Sequence, residues 1–374
     1  MNFLLRQRKL RERLASTGLD ALLVSYLPNV RYLCGFTGSA GLLLVAEIGS
    51  VFFTDVRYDV QAREEVKSAK VVIARSGLLS ALGEWVAARR KRSGPKSGTS
   101  SGKWTLGIEA EHLTVAERKR LADGLPSGLR LKNAPPLMER ARMVKDDGEL
   151  ALIRAAVGLG ATLFDRALEV MRPGVLETEV AAEMEYAARR AGAEGMSFST
   201  IIASGSRSAL PHGRATEQAV APGGFVVCDF GVILGGYCSD QTRSVWVGRA
   251  SGAGGNEARG AYDAVRGAQE AAIATVRAGV SAGEVDAAAR KVLQKAGLGR
   301  YFTHSTGHGV GLEIHEAPKI AAGQKEILQP GMVITIEPGV YLPAKWGVRI
   351  EDMVAVREGG CEVLTPTAKD FLTI

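Results

Sequence analysis

The sequence predicts a two-domain protein of the α/β (α+β) class. A mixed α/β domain is expected over residues 1–140, followed by a domain over residues 141–374 built from two related halves. Three observations predict this. Short β-rich runs alternate with helical stretches in the first third of the chain. One helix–turn–helix segment occurs twice in the remainder at a constant offset. Each copy leads into an apolar run that carries a carboxylate at the same distance from a proline.

The first domain opens with a charged helix over residues 1–13 that Gly18 ends, and Ala21–Tyr26, Gly41–Ala46, Val51–Thr54 and Val71–Ala74 read as strands. Tyr58–Ser68 and Leu78–Arg92 are expected helices. Ser93–Lys103 (SGPKSGTSSGK) is a Gly/Ser/Pro-rich tract and reads as a mobile loop. Leu106–Ile108 resumes a strand and Val115–Leu121 a helix. Pro135-Pro136 and the charged run Lys145–Glu149 mark a boundary, the charges reading as the solvated start of a long helix near Asp147.

The repeat aligns Arg172–Gly192 with Arg277–Gly297 without gaps, and eight of the 21 positions are identical. The residues after each copy argue against chance. Pro222 precedes Asp229 by seven residues, and Pro330 precedes Glu337 by seven. Each acid lies in a β-branched run, and a turn and a second strand bearing Asp240 or Glu351 come next. Two such halves about a pseudo-two-fold axis would bring four carboxylates to one place.

Composition excludes several other classes. With 46% hydrophobic and 23% charged residues, the 374-residue chain is neither disordered nor too small for a core. The net charge of +7 is uneven: residues 1–145 hold 25 Lys/Arg against 13 Asp/Glu, and the rest is mildly acidic. No nucleic-acid-reading signature accompanies the basic excess, so a solvated surface is expected and no nucleic-acid partner. The apolar runs are too short for a membrane helix or a signal peptide. Four scattered cysteines (Cys34, Cys228, Cys238, Cys361) form no framework, as expected of a reduced, cytoplasmic chain.

Burying four like charges together costs many kcal/mol unless cations neutralise them, and roughly two divalent ions would balance four carboxylates. Of the five histidines, three (His304, His308 and His315) fall within HSTGHGVGLEIHE, among Gly307, Gly309 and Gly311, which would let the backbone approach a ligand. One imidazole with four carboxylates is a hard donor set suited to Mn²⁺, Co²⁺ or Fe²⁺. His212, in SALPHGRAT, is a further candidate, whereas His112 reads as a surface residue of the first domain.

CDFG (Asp229), SDQTR (Asp240), TGHGVGLEIHE (His308, His315), IEPG (Glu337) and RIED (Glu351) together resemble the pita-bread metallopeptidases, which include methionine aminopeptidase, aminopeptidase P and prolidase. NVRYLCGFTGSAG, FTDVRYDVQA and RMVKDDGELALIRAA are similar to the N-terminal domain of the creatinase/prolidase/aminopeptidase P group and its passage into the catalytic domain. The resemblance implies that Asp229, Asp240, His308, Glu337 and Glu351 hold two divalent ions per subunit, Mn²⁺ first, with Co²⁺, Fe²⁺ or Zn²⁺ as alternatives. A hydroxide shared by the ions would attack, and Glu337 would also serve as general base. His212 and His315 would hold the substrate carbonyl and the departing nitrogen, with His304 lining the cleft. Arg349 and Tyr341 are expected beside the substrate, Arg349 pairing with a carboxylate. Lys319 stands where prolidase-like members often carry a carboxylate-binding arginine, and a lysine offers charge without a bidentate fork. The expectation is therefore an Xaa-Pro aminopeptidase acting on proline-containing peptides as a homodimer. The alternatives are a prolidase restricted to dipeptides and a non-catalytic binding homologue.

Overall fold

In the computed structural model, which describes residues 1–93 and 104–374, the chain forms two units, Met1–Arg142 and Met143–Ile374. The first unit opens with helix α1 (Phe3–Thr17), capped by the Asn2 side chain and closed by Gly18 in the left-handed conformation. Then come β1 (Ala21–Val24), α2 (Leu27–Cys34), β2 (Leu42–Ala46), β3 (Gly49–Asp55), α3 (Asp59–Glu65), β4 (Lys70–Ala74) and α4 (Leu78–Ser93). The unit continues with β5 (Trp104–Ile108), α5 (Val115–Gly124), β6 (Leu129–Asn133) and α6 (Leu137–Met143). The strands form one mixed sheet in the order β4-β3-β2-β1-β5-β6, with β1 antiparallel to β2 and parallel to β5. The expected loop at Ser93–Lys103 lies outside the described residues apart from Ser93, which ends α4. His112 is not a free surface residue: its ring stacks on Tyr26 at 3.8 Å and Nε2 lies 3.2 Å from Glu139.

The second unit shows why the repeated segment carries the identities it does. Its first half contains α7 (Asp147–Val170) and α8 (Glu177–Arg190), then β7 (Gly195–Met196), β8 (Ile201–Ser204), β9 (Gly224–Phe230), β10 (Val232–Leu234), β11 (Tyr237–Cys238) and β12 (Gln241–Val247). The second half contains α9 (Gly252–Thr275) and α10 (Ala282–Lys295), then β13 (Gly307–Gly309), β14 (Glu316–Ile320), β15 (Val333–Ile336), β16 (Gly339–Leu342), β17 (Trp346–Arg349), β18 (Asp352–Val356) and β19 (Cys361–Val363). Glu179 and Glu284 fold back onto the backbone N–H of Leu176 and Ser281, capping α8 and α10 alike. Val180 and Val285 are fully buried under those helices. Gly192 and Gly297 come just after the helix ends with φ of 95° and 72°, which a side chain would resist.

Strand correspondence completes the two-fold pattern: β9, the β10–β11 hairpin and β12 match β15, the β16–β17 hairpin and β18. A small hairpin thus separates the two acids of each half, so Asp240 and Glu351 sit just before the returning strands rather than within them. Two large cores support the halves. Phe164, Val180, Met184 and Phe230 anchor the first, while Phe225, on β9 of the first half, packs into the second with Tyr262, Leu293 and Ile334.

The charged run at the start of α7 departs from expectation. Asp146 does cap the helix, but Lys145 and Glu149 are buried. Lys145 Nζ reaches Glu316 at 3.2 Å, and Tyr237 donates to Glu149 Oε1 at 2.8 Å. Partners on distant strands satisfy these charges, which a local reading of sequence cannot see. No helix among the described residues is long and apolar enough to cross a membrane.

Candidate metal centre

The two strand pairs of the second unit deliver their acids to one place. Asp229 is the penultimate residue of β9, a strand buried along its whole length, and in register its neighbour on β12 is Thr242. Thr242 donates its hydroxyl to Glu351 Oε2 at 2.6 Å, and the Glu351 N–H bonds to Thr242 O at 3.1 Å. Glu337, just past β15, is fixed by its N–H to Thr306 O at 2.8 Å. Thr335, two residues earlier, directs its hydroxyl at Glu337 Oε1 (3.5 Å) and accepts from the His308 N–H (3.1 Å). Sequence reading missed Thr242 and Thr335. Alternation along the strand puts Thr335 on the face of Glu337, but nothing in the sequence marks its hydroxyl as functional.

His308 supplies the most informative geometry. Its Nδ1 lies 3.0 Å from Gly309 O. A carbonyl only accepts, so Nδ1 carries the proton and Nε2 is a bare lone pair. That lone pair faces Asp240 Oδ2 at 3.6 Å and Glu337 Oε1 at 3.5 Å. One ligand atom from each of Asp240, His308 and Glu351 lies within 4.8 Å of the others. Three electron-rich atoms facing a common point repel one another unless a cation sits among them.

The electrostatics agree. Burial, reinforced by the neighbouring carboxylates, pushes Asp240 and Glu351 well above the ordinary carboxylate range. Burial also raises Asp229, against the pull of Arg349, and lifts Glu337 to about 7. Burial lowers His308 to about 4, so its imidazole is neutral and able to ligate at physiological pH. Asp229 Oδ1 is buried without a hydrogen-bond partner among the described residues. Four carboxylates face one guanidinium, and the residues present therefore fit a site for divalent cations.

Arg349 is buried and its nitrogens are committed: Nη2 to Asp229 Oδ2 (2.5 Å), Nη1 to Tyr341 Oη (2.7 Å) and Pro211 O (3.0 Å), and Nε to Thr242 Oγ1 (3.0 Å). Expected from sequence beside the substrate and paired with a carboxylate, it is paired with Asp229 as a counter-charge that orients it. Tyr341 passes the chain on, donating to His304 Nε2 at 2.9 Å, while His304 Nδ1 donates to Ser305 O. Burial lowers His304 to about 4 and raises Tyr341 to about 12. His315 is exposed, with its ring edge-on to His308 at 4.4 Å, and desolvation by its neighbours pulls its pKa down. His212 is exposed, close enough for its charge to act on Asp229, His304 and His315. Lys319 is exposed on β14, opposite His308 in the register.

The glycines around His308 have a different purpose from the one expected. A Cβ on Gly307 would lie 1.9 Å from Thr335 O, and one on Gly309 2.3 Å from Ala317 O. They let β13 press between β14 and β15 rather than admit a ligand, and this close approach brings His308 to the acids.

Two antiparallel strand pairs about a pseudo-two-fold, with a buried carboxylate–imidazole cluster between them, define a metal-dependent hydrolase of the pita-bread fold. The chain belongs to metallopeptidase family M24, whose pattern matches residues 151–358. A creatinase/prolidase N-terminal domain matches residues 6–144. The chain is similar to an Xaa-Pro dipeptidase of Pyrococcus horikoshii, 34% identical over 98% of both chains. Among solved structures, an Xaa-Pro dipeptidase from Bacillus anthracis superposes with a TM-score of 0.92 at 35% identity, covering 100% of each chain. An X-Pro aminopeptidase from Thermotoga maritima gives 0.88 at 34% identity, covering 99% of this chain and 100% of that one.

Proposed function

We propose that the protein is a two-cation Xaa-Pro dipeptidase, a prolidase, with Mn²⁺ as the cation its oxygen-dominated donor set favours. The observation that carries the metal reading is the bare Nε2 of His308 facing Asp240 and Glu337 at 3.6 and 3.5 Å. The dipeptidase reading is supported by the two nearly full-length relatives that carry that name.

Asp229, Asp240, His308, Glu337 and Glu351 would hold the cations, which when bound polarise the scissile carbonyl and acidify the attacking water. Glu337, steered by Thr335, is placed to accept the proton of the attacking water. His315, neutral at that pH, offers one N–H and one lone pair to the peptide, and His212 approaches from the exposed side. Arg349 fixes Asp229, and through Tyr341 it fixes the tautomer of His304. Lys319 supplies a positive charge for a free carboxylate. Its lack of a fork, together with the likeness to the Thermotoga maritima enzyme, favours the second reading, an aminopeptidase acting on longer peptides.

Mn²⁺-loaded protein assayed on an Xaa-Pro dipeptide and an Xaa-Pro-Yaa tripeptide separates the two. Cleavage confined to the dipeptide is expected. Comparable kcat/KM on the tripeptide would establish the aminopeptidase, and cleavage of neither would remove both.

A further inference from the structure

We propose that Glu177 is a positioning residue for His212: a buried carboxylate that clamps both ends of the loop on which that histidine is carried. The inference rests on the reading that His212 meets the substrate. Glu177 opens α8 and is 0% exposed, yet it faces no cation site. Its Oε1 accepts from the Ser204 N–H (2.7 Å) and hydroxyl (2.9 Å). Its Oε2 accepts from the Thr216 N–H (3.0 Å) and hydroxyl (2.8 Å). Arg207 Nε bridges the two oxygens at 3.3 and 3.1 Å, and Nη2 of the same arginine donates to Arg214 O at 2.6 Å.

Ser204 ends β8 and Thr216 lies twelve residues on, with only a short 3₁₀ turn, Gly205–Ala209, between them. A loop that length has little rigidity of its own, and closing it on one carboxylate removes most of its freedom. His212 sits within the closed span and is exposed, so its own packing does not determine its position. The span is also pinned to the catalytic cluster, because Arg349 Nη1 donates to Pro211 O at 3.0 Å and Ser208 Oγ accepts from the Gly347 N–H at 2.8 Å. Glu177 thus fixes the loop's two ends, and these two contacts fix its middle.

The second half repeats the device with different residues. Asp286 on α10, also 0% exposed, accepts from the Thr306 N–H (3.2 Å) and hydroxyl (2.8 Å) and from Arg290 Nε (2.6 Å). Arg290 Nη2 in turn donates to His304 O at 2.6 Å. One buried helix carboxylate and one arginine per half therefore hold a segment that carries a histidine beside the cluster. The two carboxylates do not align in the repeat, so the likeness lies in the arrangement rather than in the sequence.

Glu177→Gln tests this, because the amide turns an acceptor into a donor facing donors. Thr216→Val removes one donor to Glu177, together with a long contact from the Gln218 N–H, and serves if the first variant folds poorly. Hydrogen exchange of the parent and variants is followed over residues 204–216, alongside kcat and KM for an Xaa-Pro dipeptide with equal cation content. Faster exchange confined to that span is expected, with kcat/KM lowered about tenfold. In a His212→Ala background the same substitution should change kcat/KM by less than about twofold, since it acts through that side chain. Unchanged exchange, or fully additive losses in the double variant, would overturn the proposal. If the parent cleaves no Xaa-Pro peptide while Glu177→Gln still loosens the loop, the clamp stands and the function assigned to the cluster falls.

Discussion

Replacing Arg349 by Met keeps most of the side-chain volume and removes the only positive charge that hydrogen-bonds to a carboxylate of the cluster among the described residues. Asp229 then loses its 2.5 Å bond at Oδ2, while Oδ1 already lacks a protein partner. Leaving a buried carboxylate uncompensated costs about 3–5 kcal/mol, and for a unit of this size each kcal/mol lowers Tm by about 2–4 °C. Chelated Arg349→Met at pH 8 should therefore melt on the order of 10 °C below the chelated parent. Cations on the cluster would replace the missing charge, so saturating Mn²⁺ should recover more than half of the loss. The same pair sets the sign with pH. The guanidinium lowers the pKa of Asp229, and without it the carboxyl holds its proton to higher pH. The chelated variant should thus approach the parent as pH falls toward 5. Thermal unfolding with and without Mn²⁺ at pH 5, 6.5 and 8 measures all three quantities. Equal losses with and without cation, or a loss that does not vary with pH, would refute the charge assignment.

Three further outcomes are expected. Cation affinity measured by calorimetry should rise between pH 5 and 7, by up to about tenfold per pH unit for each proton displaced, because Asp240, Glu351 and Glu337 are all raised. A flat profile would mean those carboxylates are already ionised without a cation. Asp240→Ala should abolish peptide cleavage while circular dichroism stays native, and a variant with normal rates would remove Asp240 from the site. Gly307→Ala, whose Cβ would meet Thr335 O at 1.9 Å, should cost about 1–3 kcal/mol by forcing β13 from β15, and should weaken Mn²⁺ binding through His308.

Much of the second unit was legible because its repeat marks positions that physics constrains: caps at Glu179 and Glu284, buried valines, and the strand spacing from Pro222 and Pro330 to an acid. Helix α2 was not legible. Its eight residues (LPNVRYLC) are too few for a periodic signal, and Pro28 and Gly35 mark only its ends. Strand β6 is a largely exposed edge with no apolar run. The burial of Lys145 and Glu149 depends on Glu316 and Tyr237, far away in sequence, and the clamp at Glu177 likewise depends on distant partners. At the cluster, residue types and spacing pointed to the acids and to the group His304, His308 and His315, and the family resemblance singled out His308. Arg349 was expected to pair with a carboxylate, but which one, and the hydroxyls of Thr242 and Thr335, emerge only when the two halves face each other.

The central claim is that Asp229, Asp240, His308, Glu337 and Glu351 converge to hold divalent cations. Anomalous diffraction from crystals of the Mn²⁺-loaded protein tests it most directly. Two manganese peaks per chain are predicted among these five side chains, one of them ligated by His308 Nε2. Peaks placed elsewhere, or none in this cluster at saturating Mn²⁺, would contradict it.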